Sequence, residues 1–488
     1  MNPAEIQHIP VKFLKGHKHV FVDWQFVEAG YGMPFWKYYQ DTYGTRPWFS
    51  PYGVSLTVGQ PEILSRPILE NDPLGYIGAY STLRYEDGLY RLWYVTYDFD
   101  KDGQENDKIC YAESRDFINW HRPDLGLISY RGSQHNNIVY GFGKRKHGGH
   151  TGAHGATVFF DPSAPPNARY KMAYLGPATK GQKLLNWIYG ATSPDGIHWS
   201  SIAPAIGKFS SDTQSVALYD EQLKKYVLYV RQWTPQNVVG FGGRRIVGRT
   251  ESDKFTQFPA PTPVLSPLPS WEPSMDIYTN AYHLWPGADA AHIMLPALYH
   301  RNTDTVTLHL AVSRDGHSWA MPQPTPILAE NSSYEKVTTY AGCGIVPYGE
   351  GKWAFPVFFS RRSHNEYVSE RPVLCAAVIR EDGFMAVEST LRGEFYTYPC
   401  VFEGGRLLLN SFSYPGGEIR IEIIELKPKF EARPFPGFSL DECDPLRGNS
   451  MWRPLSWNGN EDISALAGKT VRLRFLLIRS RIFAFRFE

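Results

Sequence analysis

A chain of 488 residues exceeds one ordinary core, so two domains, or one large repeat with an accessory module, are expected. Its 42% hydrophobic and 20% charged residues suit a folded globular chain, and a formal net charge of +1 gives no field favouring nucleic acid or an anionic membrane. Five cysteines without C-x-x-C spacing exclude a disulfide framework and a zinc site, and no run of ~18 apolar residues predicts a membrane span.

Residues 1–16 carry no apolar signal core, so a cytoplasmic location is expected, or a secreted or periplasmic one where a leader has been removed. The aromatic share is 15%, with 30 Tyr and 14 Trp. Such residues favour strands and also supply faces on which sugars stack.

In chain order, residues 20–27 read as one strand that could close a ring by pairing with the last repeat. Residues 28–70 form an aromatic, proline-rich entry segment. Five sets of three alternating strands follow. They are 77–85, 90–97 and 108–114; 153–160, 170–175 and 187–193; 213–219, 226–231 and 245–251; 277–284, 292–299 and 307–313; and 340–347, 352–359 and 372–380.

A repeated phrase ends each set. Ser114-Arg115-Asp116-Phe117-Ile118-Asn119-Trp120 returns as Ser193-Pro194-Asp195-Gly196-Ile197-His198-Trp199 and as Ser313-Arg314-Asp315-Gly316-His317-Ser318-Trp319. Weaker copies are Glu251-Ser252-Asp253-Lys254-Phe255 and Arg380-Glu381-Asp382-Gly383-Phe384. The spacing of roughly 60 to 80 residues suits one propeller blade with its loops, so five copies predict five blades. Beyond about residue 389 the phrase stops, while strand-like runs continue at 406–412, 418–426 and 471–487. The expected fold is all-β: a five-bladed β-propeller over residues 71–389, preceded by a closing strand and cap over 1–70 and followed by a C-terminal β-sandwich over 390–488.

The first strand of each blade lines a propeller's axis, so polar residues at those strand entries are the candidates for chemistry. Asp212 enters the third blade, and Glu272 and Asp276 enter the fourth. Glu335 precedes the fifth. Carboxylates at one level of neighbouring blades are what glycoside hydrolysis needs: one to protonate the leaving oxygen, one to act as base or nucleophile. His154, Arg231, Asp23, Tyr278 and Tyr340 are the expected substrate contacts. Each has a plainer reading, such as a turn cap for Asp212, a core histidine for His154 and a surface cation for Arg231. No metal site and no cofactor are expected, with a structural calcium left open. Asp98-Phe99-Asp100-Lys101-Asp102-Gly103 begins like a calcium loop, but the twelfth position is Ile109.

With its blade phrase, and with Ser211-Asp212-Thr213-Gln214-Ser215-Val216 and Asp276-Ile277-Tyr278-Thr279 at strand entries, the chain resembles the five-bladed propeller glycosidases. That superfamily includes invertases, levanases and arabinanases; the narrower resemblance is to bacterial proteins similar to the invertase N-terminal domain. It covers about residues 20 to 390 and implies three funnel acids acting on furanosides or some pyranosides. Two departures stand out. Asn71-Asp72-Pro73-Leu74-Gly75 lies further from its strand than the family's acidic turn, and His154 occupies the strand where the family carries Arg-Asp-Pro. The expectation is a glycosidase of oligo- or polysaccharides, with a non-catalytic carbohydrate-binding propeller and a polysaccharide lyase as rivals. A carbohydrate is the expected partner, with no nucleic acid and no membrane; oligomeric state is open.

Overall fold

The computed structural model describes residues 10–28, 51–99, 105–141, 153–176, 187–234, 243–328, 338–366, 371–426 and 432–488. Among them the regular structure is β, apart from two short 3-10 turns at Pro166–Ala168 and Ser464–Leu466. No helix among the described residues is long and apolar enough to cross a membrane. The chain divides into two compact units: residues 60–284 with 292–380, and residues 1–59 with 285–291 and 381–488.

The larger unit is propeller-like, with four blades of four strands each. The first contains Tyr76–Glu86, Leu89–Phe99, Glu105–Ser114 and Ile138–Tyr140; the second runs from His154 to Gly207, and the third from Val216 to Leu265. In the first, Leu89–Phe99 is buried along most of its length, which a strand covered on both faces must be.

The fourth blade departs from expectation. Each predicted strand is broken midway: Met275–Thr279 and Tyr282–Leu284, His292–Met294 and Ala297–His300, Thr305–Leu308 and Ala311–Ser313. Ala281 takes a positive φ of 40° and Pro296 has no N–H to give, so the ladder is interrupted there. Leu295 N–H to Asn280 O at 3.0 Å and His309 N–H to Pro296 O at 2.9 Å carry it across the break. The segments 275–279, 297–300 and 305–308 join, through the parallel pair Val306 and Thr338, an eight-stranded sheet with Thr338–Ala341, Lys352–Ser360 and Val373–Arg380.

Apolar clusters link neighbouring sheets. Trp93 and Tyr111 meet Met172 and Ala191; Phe159 and Leu175 meet Leu228; Val227 and Tyr229 meet Met294 and Ala311. Leu92 and Cys110 of the first sheet pack with Val306, Tyr340, Phe358 and Ala376.

The repeated phrase is a joint between sheets. In three copies one carboxylate oxygen takes two backbone N–H groups: Asp116 from Ile118 and Asn119, Asp195 from Ile197 and His198, Asp315 from His317 and Ser318. The tryptophan donates back to the carbonyl of Phe117, Gly196 or Gly316. Two loops are then gripped by the preceding sheet: Trp93 Nε1 donates to Gly196 O at 2.7 Å, and Tyr229 Oη to Gly316 O at 2.8 Å. The weaker copies differ. Phe255 fills a core beside Phe159 and Ile206, while Asp382, buried in the smaller unit, receives Lys18 Nζ at 2.8 Å and Trp285 Nε1 at 2.9 Å.

Among its described residues the smaller unit has one hydrogen-bonded sheet of nine strands, dominated by Leu407–Leu426 and Val471–Phe487. The N-terminal segment belongs to it instead of standing apart: Val11–Phe13 pairs with Cys400–Phe402, His19–Val20 with Ala484 and Phe485, and Ser55–Val58 with Met385–Glu388. The expected strand 20–27 is therefore short. Asp23 sits in a bend of the smaller unit, its carboxylate capping the Gln25 N–H at 2.9 Å, and is not among the residues that line the larger unit's cavity. The outer strand beside Val373–Arg380 is Glu62–Ile63. Of the entry segment, residues 29–50 lie outside the described residues.

Candidate functional site

A cavity of about 490 Å³ in the larger unit is lined by side chains from several sheets. Tyr80, His154, Tyr278 and Tyr340 come from the strands Tyr76–Glu86, His154–Phe160, Met275–Thr279 and Thr338–Ala341, and Asp212 stands just ahead of Val216–Asp220. Local irregularity helps to aim them. Pairing shifts between Ile77 and Ser81, beside Tyr80, and between Ile277 and Thr279, at Tyr278. Tyr76, Tyr97, Phe99 and Phe358 add to the aromatic wall.

Asp212 is half-exposed, and its Oδ2 receives Arg231 Nη1 at 2.6 Å. Arg231 is fully buried; it also donates to Tyr278 O at 2.9 Å and lies 3.9 Å from the centre of the Tyr278 ring. The carboxylate is thus offered to the cavity while its counter-charge is fixed behind it. Also lining the cavity, Asp107 has its Oδ2 3.0 Å from His154 Nδ1, and the His154 ring meets Tyr80 edge-on at 5.2 Å.

Beyond the strand Lys352–Ser360, the turn Arg362-Ser363-His364-Asn365-Glu366 reaches the cavity. It is tied down by Asp304, whose carbonyl accepts the His364 N–H at 2.7 Å and whose carboxylate accepts the Asn365 N–H at 2.9 Å. Arg362 Nη1 pairs with Glu366 Oε1 at 3.2 Å. His364 Nδ1 is 2.8 Å from Tyr340 Oη. Burial, aided by the Arg231 guanidinium, pushes the His364 imidazole down to about 4, and burial raises the Tyr340 phenol well above its ordinary range.

The structure brings together Asp212, His154, Tyr278 and Tyr340 at the cavity wall, with Arg231 directly behind. Asp276 lies elsewhere. It is fully buried, with Arg245 Nη1 and Arg301 Nε on its Oδ2 at 2.6 and 2.8 Å, and the Arg245 N–H and Arg301 Nη2 on its Oδ1. Burial opposes its charge, but these hydrogen bonds outweigh it and hold the carboxyl below the usual range, which marks a structural ion cluster. Glu272 is exposed and accepts from Asn302 Nδ2 at 2.6 Å. It stands ahead of the strand that carries Asp276, because the chain turns at Pro273-Ser274, closed by Met275 N–H to Glu272 O. Glu335 lies outside the described residues. Asp72 serves its own turn, accepting the Leu74 N–H and the Tyr94 hydroxyl.

Sequence reasoning missed Asp107, His364 and Glu366. The available signal was the polar run 361–366 directly after an apolar strand. Among the described residues no group of three or more His, Cys, Asp or Glu is arranged to hold a metal. Asp98, at the head of the calcium-like run, is engaged by Lys108 at 2.7 Å and Arg131 at 2.5 Å; residues 100–103 lie outside the described residues.

No family model matches the chain, and no curated protein does. Solved structures do resemble it. A thermostable family-43 glycoside hydrolase aligns over 65% of this chain and 95% of its own, at 14% identity and a TM-score of 0.44. An endo-1,4-beta-xylanase from Bacteroides thetaiotaomicron aligns over 64% and 91%, at 12% identity and a TM-score of 0.42. An N-acetylgalactosamine deacetylase from F. plautii, in complex with blood group B trisaccharide, aligns over 68% and 97%, at 14% identity and a TM-score of 0.43.

Proposed function

We propose that this chain is a glycosidase of oligo- or polysaccharides, built as a five-bladed propeller with a C-terminal β-sandwich. In that reading the strands Thr338–Ala341, Lys352–Ser360, Val373–Arg380 and Glu62–Ile63 are the fifth blade; the cluster of Leu92 with Tyr340 and Phe358 supports a closed ring. The observation that carries the function is the cavity itself: an aromatic wall around three carboxylates, Asp107, Asp212 and Glu366. Aromatic faces bind the apolar faces of sugar rings, and separate carboxylates divide acid from base work.

Asp212, paired with Arg231, is the base, nucleophile or stabiliser of developing positive charge. Asp107 and His154, joined by their hydrogen bond at the cavity wall, are assigned the acid role toward the leaving oxygen. Glu366 is the third carboxylate, at the cavity's edge, half-paired with Arg362. Asp276 and Glu272 take no part, on the grounds of their placement above.

A lyase would need a phenol or imidazole base beside the substrate. Burial keeps the Tyr340 phenol protonated, which removes one such base. The test is a panel of furanoside and pyranoside oligosaccharides read for new reducing ends across pH. Cleavage with a bell-shaped profile supports the glycosidase. Saturable binding without cleavage leaves a binding propeller, and an unsaturated product absorbing in the ultraviolet identifies a lyase.

A further inference from the structure

The Tyr340–His364 pair has a fixed direction. The Tyr340 hydroxyl is buried, and its hydrogen-bond partner among the described residues is His364 Nδ1, at 2.8 Å. Were Nδ1–H the donor, the phenolic hydrogen would be left buried with no acceptor, at a cost of about 1–3 kcal/mol. With the phenol donating, Nδ1 is the acceptor and the imidazole proton sits on Nε2.

His364 lines the cavity, and of its two ring nitrogens Nδ1 is taken by the Tyr340 hydroxyl. The Tyr278, Tyr299 and Tyr340 rings pack against the imidazole with centroids 4.6, 5.0 and 6.1 Å away. Its backbone N–H is committed to Asp304 O; the charges acting on the ring are those of Arg231, Asp304, Arg245 and Asp212, and the turn itself carries the Arg362–Glu366 pair. The ring is itself part of the cavity wall.

We infer that His364 is a substrate-binding residue that presents a fixed, uncharged Nε2–H donor to an oxygen of the bound sugar, with Tyr340 as the positioning residue that sets its tautomer. This rests on the glycosidase reading for the identity of the ligand, but the tautomer does not. A neutral donor in the cavity that Asp212 also lines grips a hydroxyl or ring oxygen without adding a second cation to the one Arg231 already supplies.

The tautomer is tested on the full chain by ¹⁵N imidazole spectra, with His364 assigned by its loss in His364→Gln. The expected signal is an unprotonated Nδ1 and a protonated Nε2 that persists at pH 5.5. In Tyr340→Phe, which removes the hydroxyl proton that blocks Nδ1, the resonance should titrate at higher pH. A protonated Nδ1, or an imidazolium at pH 5.5 in the wild type, overturns the assignment.

The binding role is tested with arabinobiose, xylobiose and sucrose by calorimetry. For whichever binds, His364→Ala should weaken affinity about tenfold or more, and His364→Gln, which retains an N–H donor, less. Equal affinity in His364→Ala and wild type removes His364 from the site. Failure of all three sugars, and of the wider panel above, to bind the wild type overturns the glycosidase reading and the ligand assigned to His364, while the spectra still decide the tautomer.

Discussion

Arg231 Nη1 lies 2.6 Å from Asp212 Oδ2, joining a guanidinium side chain that is 1% exposed to a carboxylate that is 43% exposed. The asymmetry divides the labour: the cation is structural and fixed, while the anion faces the cavity. Arg231 is held further by Tyr278, through the carbonyl and the ring face, so the Asp212 carboxylate is oriented before any ligand arrives.

Asp212→Asn should lower turnover by at least ~100-fold, the lower end of what a placed acid or base contributes. The amide oxygen still accepts from Arg231, so the fold should survive, but the buried guanidinium loses its counter-charge and the melting temperature should fall measurably. The loss is expected to be well below that of a fully buried pair, because Asp212 is partly screened by water. Wild-type turnover in a folded Asp212→Asn protein removes this carboxylate from the mechanism.

Asp276→Asn should behave in the opposite way. Two arginines converge on a carboxylate with no exposed surface, so removing its charge leaves both cations unbalanced. A destabilisation of roughly 1–3 kcal/mol is expected, less than for a fully buried pair because Arg245 and Arg301 are partly exposed and water can take up their charge. At low temperature the folded fraction should keep turnover within about tenfold of wild type, since Asp276 does not reach the cavity. A variant with an unchanged denaturation midpoint and no activity would return Asp276 to the catalytic set.

The contrast between these two aspartates measures how much the sequence can tell. Both stand at strand entries among apolar neighbours, and local pattern gives them the same reading. What separates them is the partner each meets: Arg231 behind one, Arg245 and Arg301 around the other, all distant in the chain or in another strand. The all-β character and the strands of the first three blades were legible, because alternation and the Ser-x-Asp turn are local signals. The break through the fourth blade at Ala281, Pro296 and His309 was not, since each apolar run continues across it. His364 was equally hidden, because its importance comes from Tyr340 and Asp304, more than 20 residues away.

The repeated turn makes a stability prediction with an internal control. Gly196 and Gly316 have φ of 78° and 71°, and a Cβ there would stand 2.7 Å from Trp93 Cζ2 or the Tyr229 hydroxyl. Those are the side chains that grip the two loops, so Gly196→Ala and Gly316→Ala should strain both the backbone and the joint between sheets. At Gly132, with φ 83°, an added Cβ would meet nothing within 4 Å, so Gly132→Ala carries the backbone cost alone, about 1 kcal/mol. Urea denaturation should rank the first two at least about 1 kcal/mol below the third. Equal midpoints for all three would mean that the turn is not a joint.

Acid should destabilise the larger unit well before its carboxylates titrate. Burial pushes His283 down to about 3 and His292, His309 and His364 down to about 4, against an ordinary value of 6.5. The unfolded chain therefore takes up protons below about pH 6.5 that the folded chain refuses until about pH 4. Through that window the unfolded state binds more protons, so stability rises with pH and is lost as pH falls. Each unit of depression corresponds to about 1.4 kcal/mol per histidine, enough for four such groups to dominate the acid limb. Urea midpoints measured at pH 7.5, 6.0 and 4.5 should stay near their maximum at the first, begin to fall by the second and drop steeply by the third. His283→Phe would discriminate the cause: it removes the most depressed imidazole, so the fall between pH 6.0 and 4.5 should be shallower even if the variant starts less stable. A midpoint that is flat down to pH 4.5, or a slope unchanged in His283→Phe, would show that these histidines are not held neutral by burial.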